Sequence, residues 1–273
     1  MLKRIMLILS LIVLLGTSIV LANAYDVLKI SSAKRVGDYS ADVSVDSMDA
    51  VTFGHYNQNS LYEKEPIEWI VLDEQDNKYL LLSKYILTCR DYHDVEENVT
   101  WEKCALRRWL NTTFLNTAFD INEKNKILTT SIINSKNVDQ GTSAGNDTQD
   151  KIFLLSVDEI RKYFGNGTKE KNGYVIGKKV ATKGTHYAKT VNNGAGKLWV
   201  ANVNGNSKYS WSTGNSLYWL RTPGSLQTLA TVINDYGELA TDGYNVAFGS
   251  FLNSGGYFES GGIGVRPAIW VAN

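Results

Sequence analysis

The chain of 273 residues balances 28 Lys and Arg against 28 Asp and Glu, and 43% of its residues are apolar. A chain of this length and composition can bury one large hydrophobic core or two smaller ones. It carries no basic run after its N-terminus. Because phosphate backbones are bound by clustered Lys and Arg, the composition argues against nucleic acid as a partner.

Residues 1–24 have the pattern of a secretory signal peptide. Lys3 and Arg4 precede an apolar run over residues 5–21, and Ala22-Asn23-Ala24 has the form that signal peptidases accept. We therefore expect a secreted or surface-attached protein, with no stable membrane insertion once the leader is cleaved. An uncleaved anchor is the alternative, because the apolar run of 17 residues lies at the lower limit for a spanning helix, about 17 residues.

Residues 25–50 are polar and lack periodicity, so we predict a polar tether there and a single globular domain over residues 51–273. The domain begins with a predicted β-hairpin. Apolar residues alternate with other side chains over residues 67–72, Asp76-Asn77 forms a turn signal, and residues 79–82 form a short apolar run.

Helices are predicted mainly in the first half of the domain. Thr100 is expected to cap a helix that begins at Trp101, followed by a second short helix that ends before Asp120. Residues 156–159 have the S-x-x-E form of a capping box, which predicts a helix to about Phe164. A further helical turn is expected from Thr185 to Thr190.

The composition changes over residues 192–262, which contain twelve of the 23 glycines. Low helix propensity and many turn residues predict short strands and long loops in this part of the chain. Early helices and a hairpin, followed by a loop-rich antiparallel sheet region, indicate the α+β class.

Four ordered motifs lie along the domain: Thr100-Trp101-Glu102-x-Cys104-x-Leu106-Arg107-x-Trp109-Leu110-Asn111, Phe114-Leu115-Asn116-x-Ala118-Phe119, Trp219-Leu220-Arg221-x-Pro223-Gly224 and Gly264-Val265-Arg266-Pro267-Ala268. Together they resemble a bacterial family of domains of unknown function that occurs in secreted and surface proteins. The resemblance runs from about Val51 to the C-terminus. The residues that we interpret as its structural frame are Trp101, Arg107, Trp109, Trp219, Arg221 and Arg266.

The two strand motifs each carry one arginine, Arg221 and Arg266. If their strands are neighbours, the guanidinium groups can pair with buried acids or clamp loops, which is the structural interpretation. The alternative is that they bind a ligand carboxylate.

The order of elements also resembles, more distantly, the C-type-lectin-like fold, which includes the formylglycine-generating enzymes. Those enzymes use a reactive cysteine pair near the end of the domain, whereas this chain has only Cys89 and Cys104. The oxidase chemistry is therefore not expected here. In an exported protein two cysteines 15 residues apart are a candidate disulfide, and the alternative is two buried thiols.

We predict no metal site and no cofactor. The best calcium candidates lie in one loop, where a turn explains them better: Asn234, Asp235, Glu238 and Asp242. The histidines lack partners at metal-ligand spacing: His55, His93 and His186.

Function is predicted from the aromatic loops of the C-terminal part. Tyr, Ser, Gly and Asn compose adaptable binding surfaces, so we expect a non-catalytic domain that recognises an extracellular glycan or protein. The candidate ligand-binding residues are Trp199, Trp211, Tyr236, Tyr244 and Tyr257. The competing interpretation is that these rings fill the core.

Two other functions stay open. One is a hydrolase acting on cell-wall or extracellular polymers through the acids Glu63, Glu65 and Glu68. The other is a purely structural surface module.

Overall fold

The computed structural model describes residues 30–170, 173–191, 198, 200, 214–247, 251–252, 258–259 and 262–272. The proposed leader, residues 1–24, lies outside this part of the chain. Among the described residues, no helix combines the length and the apolar character that crossing a membrane would take.

Strands dominate the secondary structure. In chain order they are β1 Val51–Asn57, β2 Lys64–Gln75, β3 Lys78–Ser83, β4 Thr88–Cys89, β5 Thr130–Ile132, β6 Thr148–Asp150, β7 Ile152–Phe153, β8 Thr168–Lys169, β9 Tyr174–Val175, β10 Thr182–Lys183, β11 Asn215–Ser216, β12 Tyr218–Pro223, β13 Leu229–Ile233, β14 Glu238–Asn245, β15 Phe251–Leu252, β16 Phe258–Glu259, β17 Gly264–Val265 and β18 Ala268–Ala272.

The helices are few and short. They are 3₁₀ turns at Val36–Asp38 and Val45–Ser47, then α1 Ala105–Trp109, a π-helical turn Leu110–Phe114, α2 Leu115–Ala118, α3 Ile121–Lys126, α4 Val157–Phe164 and α5 His186–Thr190. This mixture of a few helices with mostly antiparallel strands confirms the predicted α+β class.

Two sheets form the frame. A five-stranded sheet has the order β1-β2-β3-β18-β7, and a seven-stranded sheet has the order β4-β17-β12-β13-β14-β9-β8. Neighbours run antiparallel except β12 and β17, which are parallel where Tyr218 meets Gly264. The two arginine-bearing strand motifs are therefore adjacent, as the structural interpretation of Arg221 and Arg266 requires.

The hairpin of β2 and β3 confirms the sequence prediction. Its two turn residues, Asp76 and Asn77, have φ angles of 48° and 58°. Positive φ at both central residues is the geometry that matches the right-handed twist of paired strands, and Asp and Asn tolerate it. Strands β2 and β3 pair from Gln75 with Lys78 to Trp69 with Ser83.

The first helix begins later than predicted. Cys104, not Thr100, is its N-cap, and the Cys104 sulfur accepts the backbone N–H of Arg107 at 3.3 Å. Trp101 lies in the turn before the helix, fully buried. Its indole N–H donates to Asp150 at 3.0 Å, so burial of this ring together with its hydrogen bond, rather than helix propensity, determines the local backbone.

A buried carboxylate holds this helix against β6. Asp150, which is 1% exposed, accepts hydrogen bonds from Trp101, from the Arg107 guanidinium at 2.7 Å and from the Thr148 hydroxyl at 2.7 Å. Two neutral donors and one cation satisfy the carboxylate, which is the condition under which a buried charge is tolerated.

The π-helical turn places Asn111 against the edge of β7. Its side-chain amide donates to the carbonyl of Ile152 at 2.8 Å, and its oxygen accepts the N–H groups of Lys151 and Ile152 at 2.9 and 3.1 Å. A single side chain thus replaces a strand partner for both backbone groups of Ile152. This contact explains why the helical motif ends in asparagine.

Both arginines of the strand motifs are buried, consistent with a structural role. Arg221 donates to the carbonyls of Leu154 and Ile133 at 2.7 and 3.1 Å, and it forms an ion pair with Glu159. Glu159 belongs to the predicted capping box of α4, in which Ser156 and Glu159 satisfy each other's backbone N–H groups.

The remaining frame residues are two tryptophans. Trp219 is 1% exposed, and its indole N–H donates to the carbonyl of Arg90 at 2.8 Å. The Arg90 guanidinium in turn lies 4.7 Å from the centre of the Trp109 ring. All six predicted frame residues therefore make packing or hydrogen-bonding contacts within the fold.

The candidate disulfide between Cys89 and Cys104 is not formed in the structure. Cys89 lies within β4 at the position opposite Gly264, and the Cys104 sulfur is used as a helix cap. Burial raises the pKa of each thiol to about 12. The structure thus contains two buried thiols, which was the alternative interpretation of the two cysteines.

Residues 30–50 are more closely packed than a tether would be. Val36, Val45 and Met48 are each less than 4% exposed. Lys179 donates to the carbonyl of Tyr39 at 2.8 Å. These apolar residues fix the segment by their burial. They are widely spaced in an otherwise polar stretch, so they give no periodic signal in the sequence.

The Asp150 contact predicts a stability effect. We expect Asp150→Ala to lower the free energy of unfolding by about 2–4 kcal/mol, because the buried Trp101 indole loses its acceptor and the partly buried Arg107 guanidinium loses its ion pair. Urea unfolding measures this difference. The control is Asp94→Ala, which removes an exposed ion pair with Arg108 and should cost less than about 1 kcal/mol. Equal effects of the two substitutions would contradict the assigned role.

The cysteines predict a labelling pattern. A raised pKa leaves little thiolate at pH 8, and burial blocks access, so a thiol reagent should leave the native protein unmodified. After unfolding without any reductant, both Cys89 and Cys104 should react. Mass spectrometry of the labelled protein counts the modified thiols. If neither cysteine reacts in the unfolded protein, the two cysteines form a disulfide and the description as two thiols is contradicted.

Candidate functional site

A polar cavity of about 560 Å³ opens beside α5 and the start of β2. We call it the Lys189 cleft and define it by six of its lining residues: Asp46, Glu65, Glu68, Tyr85, Lys183 and Lys189. They come from the 3₁₀ segment, β2, the β3–β4 connection, β10 and α5. The fold thus brings five elements of the chain to one surface opening.

Strand alternation explains the orientation of Glu68 in the acidic wall, which Glu65 and Glu68 form. In β2 the side chains of Ile67 and Trp69 are buried, so Glu68 between them points outward. Glu65 precedes them on the same strand and is half-buried. The carboxylate of Glu65 accepts the side-chain amide of Asn59 at 2.8 Å.

The basic wall depends on α5, whose existence the sequence predicted. Thr185 caps this helix, and its hydroxyl accepts the N–H of Ala188 at 3.1 Å. Ala188 is fully buried, so the helix is fixed with Lys189 toward the cleft. The N–H of Tyr187 also donates to the carbonyl of Gln58 at 2.8 Å, which joins the two walls.

The two lysines of the cleft differ in their ion pairing. Lys183 forms an ion pair with Asp46 at 2.7 Å, and both side chains are about half exposed. Within the described part of the chain, the Lys189 ammonium makes no hydrogen bond and no ion pair. Partial burial lowers the pKa of Lys189, and the nearby charge of Lys183 lowers it further.

Tyr85 supplies the aromatic surface of the cleft. Its ring is partly buried, and burial raises the pKa of its hydroxyl to about 12, with Asp46 and Glu68 adding to the shift. The hydroxyl therefore stays protonated at neutral pH and serves as a donor.

The surface has two further cavities, one beside the Lys189 cleft and one lined by other residues. One of about 400 Å³ shares Asp46 and Lys183 with the Lys189 cleft, so the ion pair borders both spaces. Another, of about 320 Å³, is lined by Asp139, Glu170 and Asp242. Asp139 is paired with Arg161 at 2.6 Å. No group of three or more His, Cys, Asp or Glu among the described residues has a geometry that could hold a metal ion.

The predicted ligand-binding tyrosines have neighbours of their own. Tyr236 donates its hydroxyl to Glu238, which also accepts the side chain of Asn234 at 2.8 Å. Tyr244 packs against the core, and burial raises its pKa. Neither tyrosine presents a bare ring on an open face. Three other candidates lie outside the described residues: Trp199, Trp211 and Tyr257.

The calcium candidates do not share one loop, because Asn234 and Asp235 lie in the turn between β13 and β14 whereas Glu238 and Asp242 belong to β14. The Asn234 side-chain oxygen accepts the backbone N–H groups of Tyr236 and Glu238 at 3.2 and 2.9 Å. Asp242 accepts the N–H of Gly243 at 3.1 Å. These bonds are those that the turn interpretation predicts for Asn and Asp side chains.

The histidines are dispersed, but one of them reaches the cleft. His93 accepts the N–H of Ala105 at 3.2 Å and contacts Glu97 at 2.9 Å, so it has a structural environment. His55 is exposed on β1. His186 lines the Lys189 cleft, next to the basic wall.

Sequence reasoning missed most of the cleft. It identified Glu65 and Glu68 only as part of an acidic cluster, and Glu63 is not among the cleft residues. Tyr85, Lys183 and Lys189 carry no motif. A partial signal was available for Lys189, because the predicted helical turn requires one of its polar residues to face away from the buried Ala188.

The lowered pKa of Lys189 can be measured. We expect its amine to become reactive at a lower pH than an ordinary lysine, whose pKa is about 10.4. Competitive acylation across a pH series, followed by mass spectrometry, gives the midpoint. Lys183→Gln should raise that midpoint by removing a like charge, and unfolding should abolish the shift. A native midpoint equal to the unfolded one would contradict the environment described.

No curated protein sequence and no solved structure matches this chain. The sequence pattern of one protein family matches residues 76–273, and that family is described as a domain of unknown function, DUF6273. The match includes the helical motif, both arginine-bearing strand motifs and the basic wall of the cleft. By this match, which covers more than half of its length, the chain belongs to the DUF6273 family.

Proposed function

We propose that this protein is a non-catalytic extracellular recognition domain that binds a carbohydrate in the Lys189 cleft. The observation that carries the proposal is an open cavity whose walls combine carboxylates, two side-chain amides, two ammonium groups and a tyrosine ring. The pattern of a secretory leader in residues 1–24 supports a location outside the cell or at its surface.

The chemistry of the cleft suits a polyhydroxylated ligand. Sugar hydroxyls donate well to carboxylates, because hydrogen bonds to a charged acceptor are stronger than neutral ones. Glu65 and Glu68 supply such acceptors, and the Tyr85 ring offers an apolar surface for the C–H face of a sugar. A volume of about 560 Å³ falls in the range of small-ligand sites.

The order of elements supports a relation to the C-type-lectin-like fold, which we keep as part of this proposal. Helices α1 to α3 follow the early hairpin, and the strands from β11 onward are short and mostly antiparallel. A protein ligand is the alternative partner. It would use the surface around the cleft rather than the cavity itself.

The proposal predicts binding to glycans through the acidic wall. On a glycan array and in calorimetric titration, Glu65→Gln and Glu68→Gln should each weaken binding of the selected glycan by about tenfold. Glu96→Gln is the matched control, because Glu96 is exposed and lies outside the cleft. Binding should survive EDTA.

Three outcomes would decide against the proposal. Binding that is insensitive to both cleft substitutions would move the site elsewhere. Absence of any glycan ligand, with capture of a protein partner instead, would favour the alternative partner. Absence of both would favour a structural surface module.

A hydrolytic function is a second candidate, since Glu65 and Glu68 lie in the same cleft, as a pair of catalytic carboxylates must. The two functions differ in their products. A hydrolase would release new reducing ends from the bound polymer, and Glu65→Gln would then abolish release while leaving binding measurable. Unchanged polymer after prolonged incubation would eliminate this candidate.

A further inference from the structure

Of the two lysines that line the Lys189 cleft, only Lys189 lacks an ion pair with a described residue. The neighbouring Lys183 is paired with Asp46 at 2.7 Å. The Lys189 side chain is partly buried, and no described residue forms an ion pair or a hydrogen bond with it. A desolvated ammonium with a like charge beside it is a binding site for an anionic group of a ligand.

We propose that the glycan bound in this cleft is an acidic sugar, and that the Lys189 ammonium binds its carboxylate. This inference rests on the proposed function and adds the chemical class of the ligand. A uronic acid residue carries one carboxylate and several hydroxyls. The carboxylate meets Lys189, and the hydroxyls donate to Glu65 and Glu68 across the cleft.

The charge pattern argues against more highly charged ligands. Besides Lys189, the cleft presents the carboxylates of Glu65 and Glu68, which repel any second negative charge. A phosphate group carries more negative charge than a carboxylate, and its three oxygens each need hydrogen-bond donors. An acidic peptide brings a series of carboxylates. A single carboxylate among hydroxyls matches one ammonium and two acceptors.

The experiment uses the chain without its leader and three monosaccharide probes with one carboxylate each, the methyl glycosides of galacturonic, glucuronic and mannuronic acid, each compared with its methyl ester. A tetraglutamate peptide is the acidic-peptide probe. Calorimetry should show that at least one acid binds and that esterification weakens it by about tenfold or more. Lys189→Gln should weaken the acid to a similar extent and remove the difference between acid and ester. Lys189→Arg should retain the preference for the acid.

The control variant is Lys103→Gln, which removes an exposed lysine outside the cleft. It should bind like the parent protein. Binding of the acid should also weaken as salt is added, in the parent more than in Lys189→Gln. Circular dichroism of every variant distinguishes lost binding from lost folding.

The outcomes separate this inference from the function on which it rests. If neutral glycans bind as well as acidic ones, and binding depends on Glu68 but not on Lys189, the inference is overturned and the proposed function stands. If no glycan binds, both are overturned. If an acidic peptide binds with dependence on Lys189, the cleft is a peptide site and the inference is overturned.

Discussion

The buried guanidinium of Arg266 is the constraint on which the arrangement of the two sheets depends. Arg266 lies between β17 and β18, where the chain passes from one sheet to the other, and it is 1% exposed. It donates to the carbonyls of Ser83 and Val180, both at 2.9 Å, and to the Tyr218 hydroxyl at 3.1 Å. Its partners are carbonyl and hydroxyl oxygens, which satisfy the donors of a buried cation without a carboxylate.

These contacts also determine where the Lys189 cleft forms. Ser83 ends β3 just before Tyr85, and Val180 precedes β10, which carries Lys183. By holding both segments, Arg266 fixes the aromatic surface of the cleft relative to its basic wall. The acidic wall comes from β2, which lies outside the family match over residues 76–273. The site therefore joins residues of the matched domain to residues that precede it.

Some elements were predictable because short-range signals define them. The hairpin of β2 and β3 follows from apolar alternation around Asp76-Asn77, and α4 follows from the reciprocal capping of Ser156 and Glu159. The start of α1 was not predictable in this way. Thr100 is a suitable cap in isolation, but the buried hydrogen bond between Trp101 and Asp150 keeps the chain in a turn there. A contact across 49 residues thus overrides a local preference.

The sequence by itself determined the α+β class, the hairpin of β2 and β3, and helix α4, because these depend on periodicity, turn residues and caps. Only the tertiary structure decided that Cys89 and Cys104 stay unbridged and that Asp46, Glu68 and Lys189 share one cleft. Such neighbours are set by the packing of distant segments around buried groups like Arg266. The spacing of residues along the chain therefore does not predict which surface residues become neighbours.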